Sequence, residues 1–127
     1  MDKQIQMGKK NILFKKGIKA FNERNFYDAH EYWEELWLNY KLEDSKFIQG
    51  LIQLAVSYYH LFNNNLNGAK SMIKKCLGKL DDFDKSWGID VNELKNQVQD
   101  VQYHFNKIRY MTEFTNSYII ILKASHG

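Results

Sequence analysis

Apolar residues recur at three- and four-residue spacing along most of this chain, the period of one buried face of an α-helix. The pattern predicts a first helix over residues 11–23, with Leu13, Phe14, Gly17, Ile18 and Phe21 inward. A second, over 26–40, has a stripe of Phe26, Ala29, Trp33, Leu36, Trp37 and Tyr40. In the third, over 46–62, Phe47, Ile48, Leu51, Ile52, Leu54, Ala55, Tyr58, Tyr59, Leu61 and Phe62 cover more than half the circumference. The fourth, over 66–82, carries Leu66, Ala69, Met72, Ile73, Cys76, Leu77 and Leu80. The fifth, over 91–109, carries Val91, Leu94, Val98, Val101, Phe105 and Ile108.

Polar punctuation separates these stripes. Asn25 with Asp28, and Asp90 with Glu93, have capping-box spacing. Asp44 or Ser45 suits the start of the third helix, Asn63-Asn64-Asn65 a turn, and 83–90, with Trp87-Gly88, a connector. The expected fold class is all-α: a compact bundle of about five helices over residues 11–110. Residues 1–10 read as a flexible polar lead and 111–127 as an apolar tail. In that tail, Tyr118-Ile119-Ile120-Ile121-Leu122 suits a short strand, a helix end or a dimer contact. Asn25-Phe26-x-x-Ala29 also aligns with Asn65-Leu66-x-x-Ala69 at an offset of 40 residues. Two helix pairs with an alanine at the close crossing resemble tetratricopeptide-type hairpins.

Composition narrows the class. A chain of 127 residues makes one domain, 44% apolar content suffices for a core, and the absence of proline favours helices. A net charge of +3 is too small a bias to make nucleic acid a partner, although Lys3, Lys9, Lys10, Lys15, Lys16 and Lys19 gather near the N-terminus. One cysteine, Cys76, excludes an internal disulfide and fits a reducing, cytoplasmic setting. No secretory leader is visible, and the longest uncharged run, 47–69, is too polar to span a membrane.

The third helix offers the candidate chemistry. Its remaining face carries Gln49, Gln53, Val56 and His60 in place of the Lys and Glu of a solvated face. A helix apolar on most sides and uncharged on the last reads as central and buried, so these amides and the imidazole need partners. His30 and Glu34 lie one turn apart on the second helix, at the edge of its stripe. His30-Glu31-x-x-Glu34 fails the H-E-x-x-H zinc motif, because Glu34 replaces the second histidine. A set of His30, Glu34 and His60 is nonetheless chemically adequate for a divalent metal with open positions. His104 with Asp100 reads as a surface ion pair, and Cys76 as a core residue.

The ordered set Phe21-Asn22-x-x-Asn25-Phe26-Tyr27-x-Ala29-His30-Glu31-x-x-Glu34-x-x-Trp37, then Gln49-Gly50-Leu51-Ile52-Gln53-x-Ala55, His60 and Asn65-x-x-Gly68-Ala69 resembles the domain-of-unknown-function family 309, over about residues 11–90. The resemblance implies a compact helical fold from bacteria or archaea. It implies His30, Glu31, Glu34, Trp37, Gln49, Gln53, His60, Asn65 and Gly68 as signature positions, and it supplies no activity. The functional expectation is a buried polar pocket between the second and third helices, lined by His30, Glu34, Gln49, Gln53 and His60, for a small ligand or divalent metal. The alternative is a protein-interaction or homo-oligomerising module in which these groups form only a structural hydrogen-bond network.

Overall fold

The computed structural model describes residues 3–125. Residues 1–2 of the expected lead and 126–127 of the tail lie outside them. Five α-helices occur among the described residues: α1 (Lys3–Asn22), α2 (Phe26–Asn39), α3 (Ser45–Phe62), α4 (Leu66–Leu80) and α5 (Val91–Lys107). The all-α reading holds. Helix α3 is central, packed between α2 and α4; α1 lies against α2 and α5 against α4.

The 40-residue repeat is a repeated helical hairpin. In the α1–α2 turn Arg24 takes φ 67° and the Asn25 N–H donates to the Ala20 carbonyl. In the α3–α4 turn Asn64 takes φ 59° and the Asn65 N–H donates to the His60 carbonyl. Both are left-handed helix terminations closed by the same six-residue bond. Ala29 and Ala69 then sit fully buried at equivalent crossings. Each hairpin is also pinned once by a side chain. The Trp33 indole donates to the Phe14 carbonyl at 3.2 Å, and the Ser57 hydroxyl donates to the Ala69 carbonyl at 2.9 Å.

Four expectations are corrected. Helix α1 begins at Lys3, so most of the expected lead is helical. It escaped the periodicity because Ile5, Met7 and Ile12 are exposed and no stripe needs burying there. Asn25 makes no side-chain cap; the hairpin turn already places the backbone. Asp44 precedes α3, but its carboxylate accepts from the Ser86 hydroxyl rather than from the helix. The connector holds a two-stranded hairpin, β1 (Lys85–Ser86) and β2 (Ile89–Asp90). Its turn residues Trp87 (φ 53°) and Gly88 (φ 76°) both occupy the left-handed region, as a tight hairpin requires. The Asp90 cap is present, its carboxylate accepting from the Glu93 N–H at 3.1 Å.

The tail is neither strand nor helix end. After two short 3₁₀ turns it runs extended across the core, burying Ile119, Ile120 and Leu122 while Ile121 faces out. The buried Tyr58 hydroxyl donates to the Tyr118 carbonyl and accepts from the Ile120 N–H. The Asn22 amide bonds both the N–H and the C=O of Leu122, at 2.8 and 3.0 Å. The expected His104–Asp100 pair gives way to His104 stacked on Tyr118, ring centroids 4.0 Å apart. Among the described residues no helix is long and apolar enough to cross a membrane.

Candidate functional site

The core stripe of α2 is Phe26, Ala29, Trp33 and Leu36. Residues one step off that stripe fall along its border with α3, and His30 and Glu34 are there. His30 Nε2 lies 3.0 Å from Glu34 Oε2, as the one-turn spacing predicts. Its Nδ1 lies 3.1 Å from the Tyr27 carbonyl oxygen. Both ring nitrogens thus face oxygen acceptors, and a metal ion would have to displace one of them. Beside this pair the Tyr27 hydroxyl bonds Glu31, whose carboxylate raises the phenol's pKa above its ordinary value.

His60 belongs to a different neighbourhood. Its Nδ1 lies 3.4 Å from the Asn65 side-chain amide, whose oxygen caps α4 at the Gly68 N–H. Gln49 and Gln53 are half-buried on α3, and the Gln53 side-chain oxygen is buried with no hydrogen-bond partner. The predicted set therefore divides into a local His30–Glu34 pair, a His60–Asn65 turn contact and two amides along the helix. Among the described residues no three His, Cys, Asp or Glu side chains form a group that could hold a metal ion. The expected His30, Glu34 and His60 metal set is not among such groups. The polar face of α3, with Gln49, Gln53, Val56 and His60, is half-buried.

A cleft of about 440 Å³ opens at the end of the α2–α3 pair. Arg24, Asn25, Phe26, Tyr27, Asp28, Tyr59, Phe62 and Asn63 line it, and none of the five predicted residues does. Phe26 and Phe62 lie parallel with centroids 6.1 Å apart, and Tyr27 and Tyr59 are 5.6 Å apart. Tyr27, Tyr59 and Phe62 are 49%, 39% and 40% exposed. Sequence reading placed Tyr59 and Phe62 in the core stripe. The missed signal was Tyr27, an aromatic one step outside the α2 stripe with no core position to fill. Trp37, also expected inward, is 37% exposed at the far end of α2, beside the exposed Leu38.

Residues 14–72 match the family model described as Domain of unknown function (DUF309). An uncharacterized protein of Aquifex aeolicus (strain VF5) is 30% identical over 91 residues, covering 70% of this chain. The match spans only 27% of that relative's length.

Proposed function

The chain belongs, through residues 14–72, to the DUF309 family, and on that premise we propose that its α2–α3 face is a docking site for a basic amphipathic helix of a partner protein. The observation that carries this reading is the row of partly exposed aromatics along two neighbouring helices. Tyr27, Tyr59 and Phe62 stand at one end and Trp37 with Leu38 at the other. Ten residues separate Tyr27 from Trp37 on α2, a length of about 15 Å, or nearly three turns of a docked helix. Exposed aromatics grouped on one face are the usual anchors of a groove that takes an amphipathic helix.

Charge selects the occupant. Helix α2 carries Asp28, Glu31, Glu34 and Glu35 and no lysine or arginine. A helix with apolar anchors and flanking lysines complements that face, and an acidic one is repelled by it. Along the same face, the half-buried His30, Glu34, Gln49 and Gln53 supply polar contacts. The Aquifex relative holds the matched stretch within a longer chain, which suits a module used through one face.

The test is a fluorescence-polarisation titration with a labelled helical peptide bearing leucine and phenylalanine at helical spacing and lysine elsewhere. The lysine peptide binds, and its glutamate counterpart does not. The Tyr27→Ala/Trp37→Ala variant loses at least about tenfold in affinity, or about 1.4 kcal/mol, with unchanged helical circular dichroism. Equal binding of the two peptides, or full affinity in the variant, overturns the reading. So does self-association of the protein that the same variant abolishes, since the occupant is then a second copy.

A further inference from the structure

A second cleft, of about 750 Å³, lies on another part of the molecule, between α1, the β-hairpin and the tail. Helix α1 contributes Asn11, Phe14, Lys15, Ile18 and Lys19; the hairpin Lys85, Trp87 and Gly88; the tail residues 122–125. Four of its lining residues are lysines, and none is a carboxylate. Among the described residues, Lys15, Lys19, Lys85 and Lys123 make no ion pair, whereas Lys46 and Lys95 are paired with Asp82 and Asp81. Asp84 and Asp90 line the adjoining hollow, which shares Lys85 and Lys123 with this cleft. Four ammonium groups around one concavity repel one another and raise its positive potential, and a multiply charged anion relieves both.

Phe14 and Trp87 stack with centroids 4.8 Å apart and planes 26° apart; Phe14 and Leu122 are buried, and the partly exposed Trp87, Ile18 and Ala124 present the apolar surface of the cleft. The walls are fastened together. Both the Ser125 N–H, at 2.8 Å, and its hydroxyl donate to the Gly88 carbonyl. A side chain at Gly88 would meet the Ser125 carbonyl oxygen at 2.4 Å, so glycine is needed there for the closure as well as for the turn.

We infer that this cleft binds a small phosphorylated compound with a flat apolar body, of the nucleoside di- or triphosphate class. The lysines take the polyphosphate, and the exposed part of Trp87 with Ile18 and Ala124 takes the base. A monocarboxylate leaves three lysines uncompensated, and a neutral ring compound uses none of them. The volume falls within the range of about 300–1,000 Å³ usual for small-molecule sites. Lysines suit this task as mobile point charges that reach phosphate oxygens from several sides.

The experiment is calorimetric titration of the whole protein with ADP, adenosine, inorganic pyrophosphate and a short single-stranded oligonucleotide. ADP binds most tightly, and its affinity falls as salt rises. The Lys19→Glu/Lys123→Glu variant, altered only at exposed positions, loses at least about tenfold, with unchanged circular dichroism. Lys46→Glu, outside the cleft lining, retains ADP affinity. The inference is overturned by any of four results: no ADP binding at millimolar concentration, equal affinity in the charge-reversed variant, pyrophosphate binding as tightly as ADP, or the oligonucleotide binding more tightly than ADP.

Discussion

Cys76 is fully buried on α4, and burial pushes its thiol from an ordinary 9.0 up to about 12. The folded chain therefore holds this proton where the unfolded chain has released it. Stability from this group is fully present below pH 9.0 and is lost as pH rises towards 12, by up to about 1.4 kcal/mol per pH unit. Urea unfolding of the native chain should show a midpoint falling above pH 9. Cys76→Ala should be less stable at pH 7, by roughly 1–2 kcal/mol for the cavity, yet flatter between pH 9 and 10.5. Parallel profiles for the two proteins would assign the alkaline loss elsewhere, first to Tyr58, whose buried phenol is also raised. The thiol's inertness was readable from its place on an apolar stripe. The environment of His30 was readable only in part. Helical spacing supplied the Glu34 contact, and the Tyr27 carbonyl three residues back is equally local, but the separation from His60 depends on how α2 and α3 pack. His30→Ala should cost less than about 1 kcal/mol in urea unfolding, as expected for a half-exposed pair that holds no other element in place.

Two glycines inside helices make opposite predictions. A Cβ at Gly17 would lie 2.0 Å from the Trp33 Nε1, inside the contact that lets this indole reach the Phe14 carbonyl. Gly17→Ala gains helix propensity of about 1 kcal/mol but forces the ring aside, and overpacking at such a position costs about 1–3 kcal/mol. The net change should be destabilising, seen as a lower thermal midpoint. Gly78 has nothing within 4 Å of the same added atom, so Gly78→Ala should stabilise by about 0.5–1 kcal/mol. A stabilising Gly17→Ala would mean that α1 and α2 cross less closely than described. The helices themselves were visible in sequence because each bears a stripe that must be buried. The repeated turn was visible for the same reason, since equivalent hairpins need equivalent small residues at 29 and 69. The Trp87-Gly88 hairpin was hidden, since two-residue strands are too short to show alternation and tryptophan rarely signals a left-handed turn. The start of α1 was hidden because its apolar residues Ile5 and Met7 are exposed and mark no buried stripe.

The tail binds the bundle together across 60 to 100 residues of sequence, a separation at which local pattern carries no information. Its apolar run announced burial without saying against what, and the β-branched residues suggested a strand, whereas residues 119–125 form none. Burial of Ile119, Ile120 and Leu122 stabilises by about 1.5–3 kcal/mol each as an upper bound. Deleting residues 118–127 should therefore lower urea stability by several kcal/mol. Finer substitutions separate the two clamps. Tyr58→Phe leaves the Ile120 N–H and the Tyr118 carbonyl without their partner in a buried setting, a cost of about 1–3 kcal/mol. Asn22→Ala does the same to both backbone groups of Leu122. Hydrogen exchange should then report loss of protection at the Ile120 amide in the first variant and at the Leu122 amide in the second, with α3 and α4 unaffected. Since the tail carries Lys123 and forms one wall of the lysine cleft, Asn22→Ala should also weaken ADP binding, although Asn22 lies outside the cleft lining. Unchanged protection at Leu122 in that variant would show that apolar contact alone seats the tail. Its two amide bonds would then be consequences of docking rather than its cause.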